Sequence, residues 1–420
     1  MRGGGTKEFW GEGRGSILGA KGQREKGENF ALPLFASSPF LPGLLSVLGP
    51  LPQYLLKEMA MRRKAEDYHD GAQDGLEPLE SLDLKEISDF DELLQALGKT
   101  AFGARTLGEA AEVLAAMVQD PEVMVVGTFS GAMSVAKMGL LLCDMIDRGW
   151  VDVVITTGAL VAHGFIENLG RAHYKYPHNR SDRELYSQGY NRIYDTLEME
   201  ANLDYAEEVV REVLEKLDHQ EVWASSSLCR ELGRHLAGIT GQPGLLRNAF
   251  LKGVPVYIPA FTDSELGLDL AVYMVRQAIA GGKQLPQALS SLSLKFNPFL
   301  DLGSYAQKVL ASKKLGIFTV GGGVPRNWAQ QVAPYLELLH GRLGLEIPEV
   351  KFQYGVRLCP EPAHWGGLSG SPYREGISWG KFLAPEDGGR YAEVLCDATI
   401  SWPLLVKAVS QRLEKQKAST

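Results

Sequence analysis

The stretch VMVVGTFSG, residues 123–131, decides the fold. Its short run of branched apolar side chains leads straight into the Thr128–Gly131 turn, as a buried strand does at its carboxyl end. The pairing recurs. VDVVIT at 151–156 leads into Thr157 and Gly158, VPVYI at 254–258 into Pro259 through Asp263, GIFTV at 316–320 into Gly321 through Gly323, and AEVLC at 392–396 into Asp397. VKFQY at 350–354 is a sixth run, and longer amphipathic stretches such as DYAEEVVREVLEKL and SELGLDLAVYMVRQAIAGG lie between the runs. Strands alternating with helices predict a Rossmann-like, doubly wound α/β fold with a mostly parallel sheet of six or more strands.

The rest of the chain narrows the function. With 420 residues, 45% hydrophobic and 22% charged, the chain is long enough for one large domain with additions. A net charge of -8 disfavours a polyanion such as nucleic acid and suits cationic partners, polyamines among them. Cys143, Cys229, Cys359 and Cys396 form no CxxC pair, which points to reduced thiols in a cytoplasmic protein and to no metal site. Residues 30–56 are apolar but carry Pro33, Pro39, Pro42, Pro50 and Pro52, which argue against a membrane span. We expect a flexible, apolar arm over 1–60, a helical appendage over 61–120 in which Thr106 and Glu109 cap the second helix, and the catalytic α/β domain over 121–420.

In an open parallel sheet, ligands bind beyond the carboxyl ends of the strands, where glycine admits phosphate and helix N-termini favour anions. Ser130, Gly131, Thr157, Gly158, Asp263, Gly322, Gly323, Asp397 and Ala398 stand at those ends, a pattern suited to a nucleotide-sized ligand. Asp263 and Asp397 could accept hydrogen bonds from ribose hydroxyls. There is no GxGxxG or P-loop sequence. The glycine- and serine-rich segment GGLSGSPYREGISWGKF, residues 366–382, places Lys381 two residues after Trp379. An amine desolvated beside an indole has its charged form disfavoured and becomes a nucleophile toward imine or carbonyl carbon.

These segments resemble the deoxyhypusine synthase family, collinearly over roughly residues 90–415: LLQALGKTAFGARTLG (93–108), VDVVITTG (151–158), GYNRI (189–193), VPVYIPAFTDSELG (254–267), VGGGVP (320–325), SWGK (378–381) and DATISWPLLV (397–406). The resemblance implies NAD-dependent oxidation of spermidine, release of 1,3-diaminopropane, a butylamine fragment held as an imine on Lys381, and its transfer to an acceptor amine. It also implies homotetramers with active sites between paired subunits. The candidate substrate residues are Glu375, Trp379, Asn327 and His163. This chain departs from the eukaryotic enzymes of the family. Ala162 and His163 stand where those carry two glutamates, Asn327 replaces a histidine, WGGLSG replaces an acid-rich run, and Leu268 occupies an acid's position. Asn327 can orient an amine but is no general acid or base. Such departures resemble the prokaryotic deoxyhypusine synthase-like branch, in which the acceptor is either a protein lysine or a small diamine such as putrescine, giving homospermidine. A non-catalytic NAD- or polyamine-binding module is the alternative from another class.

Overall fold

A computed structural model describes residues 67–419; the arm expected over residues 1–60 lies outside the described residues. The chain divides into two units, residues 1–77 and 78–420. In the first, residues 70–75 form a turn in which the Ala72 amide donates to Asp70 Oδ1 at 3.0 Å.

The second unit holds the sheet that the sequence predicts. Its strands are β1 (Val123–Phe129), β2 (Val153–Thr156), β3 (Val256–Tyr257), β4 (Lys314–Val320), β5 (Phe352–Leu358) and β6 (Arg390–Val394). They lie in the order β6-β5-β4-β1-β2-β3, and every neighbouring pair is parallel. All six carboxyl ends therefore share one edge of the sheet. The chain winds outward from β1 in both directions, which makes the gap between β1 and β4 the switch point of a doubly wound sheet. Side chains alternate across it. Val125 and Phe129 of β1 join one core with Phe318, Val320 and Trp402, while Val126 joins the other with Ile317, Tyr305 and Phe382. Both faces are covered, as a parallel sheet requires.

The helices that bear on function are α1 (Phe90–Gly98), α2 (Phe102–Gln119), α3 (Gly158–Asn168), α4 (Glu200–Leu214), α5 (Glu265–Ala280), α6 (Gly323–Gln330) and α7 (Ala398–Ser419). The expected cap at Thr106 does not form. α2 starts four residues earlier, after Ala101, and Thr106 lies inside it with Oγ1 donating to the Gly103 carbonyl at 3.0 Å. Ala104 and Arg105 continue the helix well, and Arg105 Nε covers the Thr100 carbonyl at 2.7 Å, so the turn extends backward. Between α3 and α4 a short antiparallel ribbon, Tyr174–Lys175, Thr196–Met199 and Tyr190–Ile193, interrupts the alternation. Among the described residues, no helix is long and apolar enough to cross a membrane.

Candidate active site

The segment after β5 folds back over α6, and a cavity of about 390 Å³ lies between them. Lys381, Trp379, Glu375 and Asn327 all line it. Local folding explains how the lysine is aimed. One helical turn, Tyr373–Ile377, is followed by a return at Gly380, whose φ of 68° is left-handed, and the Lys381 amide then donates to the Gly376 carbonyl at 3.0 Å. The Lys381 carbonyl in turn accepts from Phe352 N at 2.9 Å, which clamps the backbone to the first residue of β5. Lys381 is 8% exposed, and its Nζ lies 5.7 Å from the Trp379 ring centroid, within cation–π range. Burial lowers the pKa of its ammonium, the Arg326 guanidinium lowers it further, and Glu375 pulls the other way. A neutral amine is thus favoured here more than in water.

Two buried arginines hold the glycine-rich loop beside the cavity, and Arg326 also lines it. Arg326, 3% exposed, stacks its guanidinium 5.0 Å from the Tyr373 ring centroid and donates from Nη1 to the Leu368 carbonyl at 3.3 Å. Arg357, also 3% exposed, donates to the Ser369 carbonyl and pairs with Glu393, whose other oxygen accepts from Tyr373 N at 2.7 Å. The glycine-rich loop is therefore held through its carbonyls by fixed charge. Sequence reasoning missed Arg326 and Arg357, although Arg326 directly precedes Asn327 in GGGVPRNW.

The cofactor candidates form a second set along the carboxyl edge, and none of them lines the lysine cavity. At the switch point Ser130 Oγ donates to the Gly322 carbonyl and accepts from the Gly322 amide at 3.3 Å. Thr157 Oγ1 donates to the Gly131 carbonyl at 2.7 Å and caps α3, accepting from Leu160 N at 3.4 Å. A Cβ on Gly158 would stand 2.2 Å from Ser264 Cβ, and one on Gly322 would stand 2.5 Å from Ser369 Cα, so both glycines permit neighbouring strand-end loops to touch. The Gly322–Ser369 contact is what joins this edge to the loop of the lysine cavity. Asp397 caps α7, its Oδ1 accepting from Thr399 N at 2.8 Å and Thr399 Oγ1 at 2.9 Å, while Ala398 is buried beside it. Asp263 and Asp397 are both exposed, at opposite sides of the sheet, beyond β3 and β6.

His163 lines neither the lysine cavity nor the cofactor edge. It is buried on α3, where the Glu198 carboxylate draws it 3.5 Å from Nδ1, and Glu198 also lies 2.6 Å from His173 Nε2. Burial alone would raise the Glu198 carboxyl, but His163, His173 and the Asn202 amide outweigh it and hold the group far below the usual range. Glu265 and Asp269 line a separate small cavity with Phe165 and Leu203. All four cysteines are free thiols.

Comparison with known proteins agrees with this geometry. The family described as deoxyhypusine synthase matches residues 92–409. The chain is 31% identical over 345 residues, 81% of its own length and 92% of the relative's, to "Probable deoxyhypusine synthase 2" of Methanosarcina acetivorans. It is 31% identical over 314 residues, 75% and 91% of the two lengths, to "Probable deoxyhypusine synthase 1" of Archaeoglobus fulgidus. It is 28% identical over 333 residues, 78% and 82% of the two lengths, to the "Deoxyhypusine synthase-like protein" of Elusimicrobium minutum. A match over most of the chain, on a doubly wound sheet with its SWGK lysine buried in a cavity, means that the chain belongs to the deoxyhypusine synthase family.

Proposed function

We propose that the chain is an NAD-dependent aminobutyl transferase that uses Lys381 to carry the butylamine fragment of spermidine to an acceptor primary amine. The observation that carries this reading is the buried Lys381 amine, 5.7 Å from the Trp379 ring centroid and repelled by Arg326, in a cavity with a carboxylate at Glu375. Ser130, Gly131, Thr157, Gly158, Gly322, Gly323, Asp263, Asp397 and Ala398 would hold the dinucleotide. The edge fits such a group. α6 has no side-chain cap, which leaves its first-turn amides for an anion, and the exposed Asp263 and Asp397 carboxylates suit ribose hydroxyls. NAD, when bound, supplies removal and return of a hydride at the carbon that bears the transferred group.

The chain's own residues do the rest. Neutral Lys381 Nζ attacks the oxidised carbon, the bond to 1,3-diaminopropane breaks, and that amine leaves with the proton it needs. An acceptor amine then displaces Lys381 by the reverse exchange, and reduction of the resulting carbon–nitrogen double bond completes the transfer. Asn327, Gln330 and Gln331 orient amines but exchange no protons, so among the lining side chains only Glu375 and Lys381 itself can pass a proton near neutrality. Glu375 also pairs with a substrate ammonium. Trp379 is 63% exposed in the lining, and the cofactor edge lies outside the cavity. Both features support an active site completed by a second subunit, as the family resemblance implies.

Borohydride reduction in the presence of spermidine and NAD tests the reading. A butylamine adduct on Lys381 is expected by peptide mass spectrometry. NAD binding without any adduct would overturn the transferase reading in favour of a non-catalytic module. Product analysis with a panel of acceptors, a lysine-bearing protein and putrescine included, assigns the acceptor. Mixed oligomers of Lys381→Ala and Asp397→Ala chains should recover activity that neither shows alone.

A further inference from the structure

Three buried donor atoms converge away from the lysine cavity. His163 lies in the second turn of α3, His173 follows that helix, and Glu198 lies in the Thr196–Met199 strand of the ribbon. Their side chains are 7%, 0% and 1% exposed. One donor atom from each lies within 4.8 Å of the others. His163 Nδ1 stands 3.5 Å and His173 Nε2 stands 2.6 Å from Glu198 Oε2, yet none of the three atoms has a hydrogen bond of acceptable geometry. Glu198 is aimed on purpose. Its Oε1 accepts from Asn202 Nδ2 at 2.8 Å and Met199 N at 2.9 Å, and Asn202 is itself held on the Ala172 carbonyl at 3.2 Å. One carboxylate oxygen is thus fixed by donors while the other faces only two ring nitrogens.

Two imidazoles and one carboxylate are the protein donors of many three-ligand zinc centres. Bonds of about 2.0–2.1 Å in a tetrahedron put ligand atoms roughly 3.3 Å apart. The 3.5 Å pair already has that spacing, and the 2.6 Å pair must open modestly. We propose that His163 Nδ1, His173 Nε2 and Glu198 Oε2 bind a zinc-class divalent ion, with water as fourth ligand, and that the ion ties the ribbon to α3. The absence of CxxC pairs in the sequence says nothing against such a set.

The surroundings set the competition. Lys137 Nζ lies 2.8 Å from His173 Nδ1 and also pairs with Glu167, whose Oε1 is 3.8 Å from the same ring nitrogen. An ammonium must donate to Nδ1, which leaves the ring proton on Nε2, where the ion must displace it. Lys137 therefore opposes loading by both charge and tautomer. Its backbone is left-handed, with φ 64°, a conformation that lysine adopts at a cost. Removing its side chain lets Glu167 accept from Nδ1–H, the usual carboxylate support of a metal-bound histidine.

The test uses the full chain, stripped with a chelator and titrated with Co²⁺ alone, then Zn²⁺ alone. One Co²⁺ per chain with a tetrahedral visible spectrum is expected, along with displacement by Zn²⁺. Glu198→Gln and His173→Ala should weaken binding by more than ~100-fold, and Lys137→Met should tighten it by roughly tenfold. If the ligand variants misfold, Lys137→Met still decides, because an ion bound elsewhere would not respond to it. A silent Co²⁺ titration, or affinity unchanged in Lys137→Met, overturns the proposal and leaves the cluster as an ion-paired brace. Lys381→Ala should bind Co²⁺ as the parent does, so failure here is separable from failure of the transferase reading.

Discussion

The lysine cavity and the His163–His173–Glu198 cluster both bury ionisable groups, yet they arrange charge in opposite senses. Around Lys381, burial and the Arg326 guanidinium act together to disfavour the charged form. Around Glu198, burial and the neighbours act against each other, and the neighbours win. The cavity opens past an exposed Trp379, whereas the cluster is closed over its donor atoms. Burial by itself therefore does not decide which form of a group is favoured; the groups that face it do.

Lys381→Arg breaks the comparison at its strongest point. Arginine keeps a long side chain but supplies no nucleophilic amine, so aminobutyl transfer should fall by more than ~10³, equivalent to about 4 kcal/mol, with no borohydride-trapped adduct. Circular dichroism should be unchanged. Residual turnover within tenfold of the parent would mean that Lys381 is another buried brace.

Arg357→Met tests whether fixed charge holds the glycine-rich loop beside the cavity. It strands the Glu393 carboxylate and the Ser369 carbonyl, so urea denaturation should show a loss of roughly 3–4 kcal/mol. A loss below about 1 kcal/mol would show that the loop is positioned without the arginine.

Arg326 then separates charge from support. Arg326→Gln removes the like charge beside Lys381, which raises the lysine pKa; the neutral amine then appears at higher pH. The acid limb of adduct formation should move to higher pH. Arg326→Lys keeps the charge and should leave the limb in place. Equal behaviour of the two variants would assign Arg326 to loop support alone.

How far the sequence reached follows the range of the interactions. Glu375, Trp379 and Lys381 lie within seven consecutive residues, so one short motif brings them together, and β1 through β6 each stand out as a short apolar run. Arg326 was hidden because a charged residue in a first helical turn reads as solvated, and only the tertiary fold places Tyr373 over it. The surroundings of His163 were hidden because its partner Glu198 lies 35 positions away, in a ribbon whose strands have two to four residues, too short for periodicity to register. Strand order was also out of reach. Asp263 and Asp397 follow the two outermost strands of the sheet, which composition and turn chemistry cannot reveal.

The smallest effect concerns Asp269 on α5, where the logic of the lysine cavity recurs with the charges reversed. Burial raises its carboxyl pKa to about 7, and the Glu207 and Glu265 charges push in the same direction. Arg211 on α4 and Arg276 on α5 pair with Glu207, at 3.4 and 3.1 Å. A carboxyl whose folded pKa exceeds its unfolded value keeps a proton that the unfolded chain has lost, so the cost of ionising Asp269 is absent below pH ~4 and grows as pH rises toward 7. Asp269→Asn removes that slope. It should raise stability at pH 8 by roughly 1 kcal/mol and change little at pH 4, read as urea midpoints at the two values. An equal gain at both would trace the effect to packing in the small cavity beside Phe165 and Leu203 instead of to charge.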